Sequence, residues 1–161
     1  MLTVLLHIYE FFCKKNHNKE NKNKQKMEIE EKKSVKSLAI EYLQKWDIKY
    51  EIVKSDYFVF KYQGGEFFIN TPEDDPNFLY LVMPDIYRIN NDRIEVLEAM
   101  NKITHDRKFI KASLDDNNVW LSVDMLMDPS SNIDFFEKMI KRCFSNLFES
   151  QREFFTYLLK K

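Results

Sequence analysis

Six runs rich in β-branched and aromatic residues lie between positions 50 and 126, and no other feature constrains the fold as strongly. They cover residues 50–53, 57–62, 66–70, 78–83, 108–114 and 119–126. Gly64 and Gly65 separate two of these runs and indicate a hairpin, because glycine accepts a positive φ without a Cβ penalty. The spacing predicts an antiparallel meander followed by a second hairpin that turns at 115–118.

Stretches of helical periodicity precede, interrupt and follow these runs. The first covers 34–46 behind a Ser34 N-cap, and its apolar face consists of Val35, Leu38, Ala39, Tyr42, Leu43 and Trp46. The second covers 92–105 behind Asn91 or Asp92, and its apolar positions are Ile94, Leu97, Met100 and Ile103. The third opens at Ser130 or Ser131, and its apolar stripe consists of Ile133, Phe136, Ile140, Phe144, Leu147 and Phe148.

The stripe of the third helix keeps its phase to the end of the chain, either as one long helix or as a second segment after a break. Its last members are Phe154, Phe155, Leu158 and Leu159. Helices on one face of an antiparallel sheet make an α+β fold. We therefore expect a twisted antiparallel sheet of about five strands with helices packed on it, in the order α-β-β-β-α-β-β-α.

The N-terminal part of the chain has a different composition. Residues 14–33 contain almost no apolar side chains, and such a tract does not offset the entropy lost on ordering. We expect residues 1–33 to be a disordered or mis-assigned extension, with Met27 as an alternative start, and residues 34–161 to form a single α+β domain. Residues 1–13 lack a basic n-region and a small-residue cleavage site, so a cytoplasmic protein is favoured over a secreted or anchored one.

The charge balance argues against several classes of protein. Lys and Arg number 25 and Asp and Glu number 26, so the general attraction to nucleic acid or an anionic membrane is missing. No apolar run is long enough to span a bilayer, and Cys13 and Cys143 alone make neither a disulfide framework nor a metal site. We expect no nucleic-acid partner, no membrane partner and no cofactor.

Three segments resemble a known family. They are Leu-Glu-Ala-Met-Asn-Lys-Ile at 97–103, Phe-Ile-Lys-Ala-Ser-Leu-Asp-Asp-Asn-Asn-Val-Trp-Leu-Ser-Val-Asp at 109–124, and the helix from Asn132. Together with the order of elements they are similar to the YbjN family, whose fold is that of the type III secretion chaperones. The resemblance includes no catalytic motif. It implies a sheet backed by helices, frequent dimerisation, and a role in binding or regulating other proteins.

Candidate reactive groups are few. The carboxylate groups of residues 73–75 and 115–116 match no EF-hand loop and are typical of solvated turns. His105 and Asp106 lie in the last turn of a helix with no nucleophile near them in sequence. Cys143 lies on an apolar stripe, where burial would raise the pKa of its thiol and leave it inert.

The leading hypothesis is a non-enzymatic protein-binding module, chaperone-like or a regulatory adaptor, that acts as a homodimer and binds an unidentified protein partner. Five apolar residues are the candidate partner-binding set: Trp120, Phe154, Phe155, Leu158 and Leu159. Trp120 points away from the apolar residues of its strand, and the C-terminal four either cap the core or join two chains, of which we favour joining. The alternative is a small enzyme or metal-binding protein that uses the loop carboxylates.

Overall fold

A computed structural model describes residues 34–54, 57–128 and 130–160. The helices are α1 (Val35–Lys45), α2 (Arg93–Asp106) and α3 (Ile133–Leu159). The strands are β1 (Tyr50–Lys54), β2 (Tyr57–Tyr62), β3 (Gly65–Asn70), β4 (Phe78–Arg88), β5 (Ile110–Asp115) and β6 (Asn118–Leu126). The predicted α+β class is confirmed. The sheet has six strands rather than about five, because all six β-rich runs pair and four of them precede α2.

The sheet is open and antiparallel, with the strand order β1-β2-β3-β4-β6-β5. Strand β4 is the longest at 11 residues and pairs with both β3 and β6. Its register shifts between Met83 and Tyr87. Pro84 has no backbone N–H to donate and Asp85 takes a φ of 49°, so the ladder is interrupted at this point.

Helix α1 begins with the predicted cap. Ser34 Oγ accepts a hydrogen bond from the Ser37 N–H, and Ser37 Oγ accepts one from the Ser34 N–H, both at 3.1 Å. The expectation that Trp46 belongs to the core is wrong, because Trp46 lies at the C-cap beyond the last helical residue and is 47 % exposed. The Lys141 ammonium instead lies over its ring in a cation–π contact, 3.8 Å from the ring centroid.

Helix α2 (Arg93–Asp106) is shifted by one residue from the predicted 92–105 and buries a different face. Val96, Ala99, Met100 and Ile103 enter the core. Ile94 and Leu97, which the periodicity placed on the apolar face, are 71 % and 41 % exposed. Ile94 is about 200° around the helix from Val96 at ~100° per residue, so both positions do not face the sheet together.

Helix α3 is one continuous helix of 27 residues, which decides between the two predicted alternatives. Its N-cap is Asn132 rather than Ser130 or Ser131, and Asn132 Oδ1 accepts from the Phe135 N–H at 2.8 Å. Phe136, Ile140 and Leu147 are fully buried against the sheet. Gly65 allows this close approach, because a Cβ there would lie 2.8 Å from Phe67 Cε2 and 3.3 Å from Phe148 Cε1.

Helix and sheet residues share one main core, whose largest fully buried members include Tyr42, Phe58, Phe67, Phe136 and Phe144. The Phe67 and Phe144 rings meet edge to face with centroids 4.9 Å apart. We call the sheet surface that contributes to this core the covered face.

Candidate functional site

The other surface of the sheet, here called the open face, carries a second apolar cluster. Cross-strand pairing aligns Phe68 with Val82 and Val82 with Ser122, and it aligns Asn70 with Tyr80 and Tyr80 with Asp124. Val82 is fully buried, yet it does not belong to the main core. Its side chain is therefore buried on the open face, which has a small hydrophobic centre of its own.

Aromatic rings lie on the same face as Val82. Phe68 contacts Tyr57 at 5.8 Å, Trp120 at 5.6 Å and Tyr80 at 6.4 Å between ring centroids, and Tyr80 lies 6.5 Å from Phe78. All five aromatic residues are only partly buried. We define the open-face cluster by these residues and the central valine: Tyr57, Phe68, Phe78, Tyr80, Val82 and Trp120.

Trp120 lies on this face, as the alternation of β6 predicted, and is held in place by one hydrogen bond. Its indole Nε1 donates to Asp85 Oδ1 at 3.0 Å, and its ring meets Phe68 nearly edge-on at an interplanar angle of 72°. Asp85 is the residue with positive φ at the interruption of β4. The interruption therefore positions the carboxylate that orients the indole.

Polar atoms beneath the open-face cluster are incompletely satisfied. Asn70 Oδ1, Ser122 Oγ and Asp124 Oδ1 are buried and have no hydrogen-bond partner among the described residues. The second oxygen of Asp124 pairs with the Lys111 ammonium. These oxygens have almost no exposed surface, so a donor from outside reaches them only if the side chains around them move.

The four C-terminal residues of the predicted partner-binding set do not lie together with Trp120 on the open face. Phe154 is fully buried in the chain's own core, Phe155 and Leu158 pack partly against that core, and Leu159 is 85 % exposed. Tyr87 contacts the rings of Phe154 and Phe155 at 5.8 and 6.2 Å between centroids. That these residues bind a partner stays a prediction; the Phe154 side chain has no exposed surface in the single chain.

Ion pairs fasten the end of α3 to α2. Arg107 donates from Nη1 to Glu149 at 2.8 Å and from Nε to Glu153 at 2.9 Å. The guanidinium holds the pKa of the Glu153 carboxyl below its usual range. The end of α3 thus caps the domain through both apolar packing and charge.

The candidate reactive groups lie in separate places. Burial raises the pKa of the Cys143 thiol to about 11, which confirms the expected shift. His105 Nδ1 lies 2.9 Å from Asp106 on an exposed helix end. Asp75 Oδ1 accepts from the Asn77 N–H at 3.3 Å, as in a turn. No three His, Cys, Asp or Glu side chains within residues 34–54, 57–128 and 130–160 are placed to hold a metal ion.

Apart from Trp120, the members of the open-face cluster were not predicted from the sequence, although a signal exists for the three that lie in β4. Residues 78–83 read Phe-Leu-Tyr-Leu-Val-Met without a polar interruption. A strand with one solvated face alternates between apolar and polar residues, whereas an unbroken apolar run is typical of a strand that is covered on both faces.

Comparison with known proteins identifies the fold. No protein-family model matches the chain, and no curated protein is similar to it in sequence. The structure of YbjN from E. coli is similar with a TM-score of 0.56 and 8 % identity, covering 71 % of this chain and 87 % of that one. A chain of the heterodimeric ExoU–SpcU complex from the type III secretion system of Pseudomonas aeruginosa has a TM-score of 0.52 and 13 % identity, covering 72 % and 93 %.

The type III secretion chaperone SycH of Yersinia pestis, solved with a stable fragment of YscM2, is similar with a TM-score of 0.50 and 13 % identity, covering 71 % of this chain and 94 % of that one. The chain therefore has the fold shared by YbjN and the type III secretion chaperones, as its sequence segments indicated. Within the described residues, no helix is both long and apolar enough to cross a membrane.

Proposed function

We propose that the protein is a non-enzymatic binding module, chaperone-like or a regulatory adaptor, whose open face holds a segment of a partner protein. The observation that carries the proposal is the open-face cluster. Five partly buried aromatic rings and one fully buried valine share a sheet face over which no described helix packs. Clusters of partly exposed apolar side chains on an uncovered face are typical of interaction sites, and aromatic residues are enriched in protein interfaces.

The chemistry of the open face favours a polypeptide as the occupant. Polar side chains lie beside the apolar ones on this face: Asn70 and Asp124 pair in register with Tyr80, and Ser122 pairs with Val82. A protein segment supplies both N–H donors and apolar side chains over the same distance. Two of the similar structures are themselves complexes, of ExoU with SpcU and of SycH with a fragment of YscM2. They support the proposal as proteins of the same fold that bind other proteins.

The proposal includes a homodimer in the cytoplasm, with binding assigned to residues 34–161 as a single domain. Residues 1–33 lie outside the described part of the chain, and the proposal assigns them no binding role. Light scattering tests the dimer, since the account expects a mass near twice the 19.6 kDa of one chain at micromolar concentration. A mass of one chain at every concentration would contradict the dimer. The open face would then remain a proposed site for a different protein.

Site-specific photo-crosslinking tests the open face itself. A photoreactive phenylalanine analogue replaces Tyr80 in one full-length variant and Glu41, an exposed residue of α1, in the control. After irradiation in the native cell, the Tyr80 variant is expected to form a discrete adduct with another polypeptide, which Trp120→Asp abolishes in the same background. Equal labelling from both positions, or no adduct from Tyr80, would contradict the proposal.

A further inference from the structure

A second apolar surface lies at the end of the sheet away from β1. A groove of about 370 Å³ runs between the C-terminal end of β6 and the first half of α3. Met125 and Met139 line its walls, and three large apolar side chains around it are strongly exposed. Phe109 is 72 % exposed, Leu126 is 77 % exposed and Phe135 is 51 % exposed. We call this feature the methionine groove.

The exposed side chains indicate the size of the occupant. A small ligand inside the groove would leave Phe109 and Leu126 in water, because most of their surface lies outside the cavity. A polypeptide segment covers the groove and its rim together. Methionine side chains are unbranched and adapt to different apolar shapes, which suits binding of a segment with large apolar residues.

The charges that line the groove indicate which other residue the bound segment contains beside its apolar residues. Arg142 lines the groove, and its guanidinium forms no ion pair or hydrogen bond with any residue that the structure describes. Asp124 also lines the groove, but its carboxylate is already paired with Lys111. Residues 34–161 contain 17 Lys and Arg against 21 Asp and Glu, so their net charge is negative. The unpaired Arg142 cation beside the groove has the opposite sign.

Contact of this groove with its own copy is disfavoured by the same charges. A two-fold axis through the groove brings the two Arg142 side chains toward each other. Among the described residues, Asp124 is the one acidic residue that lines the groove, and its carboxylate pairs with Lys111 on the open face. The complementary surface is therefore one that brings its own carboxylate.

We propose that the methionine groove docks a partner segment that carries large apolar side chains next to an acidic residue, whose carboxylate pairs with Arg142. This inference rests on the proposed function and names the partner chemistry at a second surface. An arginine binds a carboxylate through two parallel hydrogen bonds, which fixes the register of the segment while the methionines hold its apolar side chains.

Selection from a random dodecapeptide library displayed on phage, with the full-length protein as bait, tests the inference. Peptides recovered by the wild-type protein are expected to contain at least two large apolar residues and to be enriched in Asp or Glu. Arg142→Glu as bait is expected to reverse the charge preference toward Lys and Arg. Arg152→Glu changes an exposed arginine on the same helix but outside the groove, and it is the matched control that keeps the acidic preference.

Affinities of one recovered peptide complete the test. Arg142→Glu and Phe135→Ser are each expected to weaken its binding about tenfold, whereas Arg142→Lys and Arg152→Glu stay within about threefold of wild type. Both altered positions are exposed, so circular dichroism is expected to show an unchanged fold. Recovery of no enriched peptide, or of peptides that bind all variants equally, would overturn the inference. An adduct from Tyr80 together with that result would leave the proposed function in place.

Discussion

Both faces of the sheet carry apolar side chains, and they differ in what packs over them. Phe67 and Phe68 are neighbours in β3 and show the difference most directly. Phe67 is fully buried against α3, whereas Phe68 on the open face is only partly buried among other sheet residues. Since apolar side chains gain free energy in proportion to the area removed from water, the open face retains unused binding potential.

Polar satisfaction differs between the faces as well. Three of the five buried side-chain oxygens that lack a partner among the described residues belong to open-face positions, namely Asn70, Ser122 and Asp124. Desolvation of a polar group that has no hydrogen-bond partner costs free energy. The open face therefore has both partly exposed apolar side chains and unpaired buried acceptors. The comparison therefore supports a binding role for one face and a structural role for the other.

Alanine substitution of the neighbouring phenylalanines separates these roles. Phe67→Ala is expected to lower the free energy of unfolding by about 3–5 kcal/mol, because it opens a cavity beneath α3. Phe68→Ala is expected to cost about 1–2 kcal/mol, since its side chain is already partly in water. Urea unfolding followed by circular dichroism measures both values. Equal losses would show that the two faces are packed alike.

Two residues at the end of α3 provide a second comparison between a buried and an exposed side chain. Phe154→Ala is expected to destabilise the domain by about 3–5 kcal/mol, because the ring is fully buried beside Tyr87. Leu159→Ala is expected to change stability by less than about 0.5 kcal/mol, because its side chain is 85 % exposed. Thermal unfolding of both variants checks the difference. A folded, stable monomer from Phe154→Ala would assign the residue to a dimer interface instead.

An ion-pair cluster that ties α1 to α3 predicts a pH effect on the covered side. Lys141 and Lys45 hold the pKa of the Glu137 carboxyl at about 2. A carboxyl whose pKa is lowered by folding stabilises the protein above its unfolded pKa, and that stabilisation is lost as the pH falls toward 2. Glu137→Gln is therefore expected to lower the melting temperature slightly at pH 7 and not at pH 2. The same small decrease at both pH values would contradict the assignment.

The smallest effect is expected at Cys143, which lies on the buried face of α3. Its thiol is 5 % exposed, and burial raises its pKa to about 11. With Cys13 replaced by serine, a thiol reagent at pH 8 is expected to label the folded protein at a rate limited by unfolding, and denatured protein at once. Rapid labelling of the folded protein would show that the covered side opens locally.

Most of the fold could be predicted from the sequence because periodicity and turn chemistry are local. The Ser34 cap, the Gly64 corner and the bounds of α2 depend on neighbouring residues only. The exposure of Trp46 and of Ile94 could not be predicted in this way. The exposure of Trp46 depends on where α1 ends against the sheet. The exposure of Ile94 depends on which of two apolar faces of α2 packs against the core.

The candidate site was only partly predictable for a related reason. Alternation in β6 is regular, so the orientation of Trp120 follows from its strand alone. In β4 the run Phe78–Met83 is apolar on both faces, and the sequence does not indicate which face the helices cover. Phe154 contacts Tyr87, and Arg107 bonds Glu153 next to it; both partners are distant in sequence from the end of α3.

The central claim is that a partner segment binds the open face, and two tryptophans provide its most direct test. Calorimetry measures the affinity of the partner segment that crosslinks at Tyr80 for Trp120→Ala and for Trp46→Ala. Both rings are partly exposed, but only Trp120 belongs to the open-face cluster. The account predicts that Trp120→Ala weakens binding about 30-fold, as for an interface hot spot, and that Trp46→Ala changes it less than about twofold. Equal effects, or undiminished binding by Trp120→Ala, would contradict it.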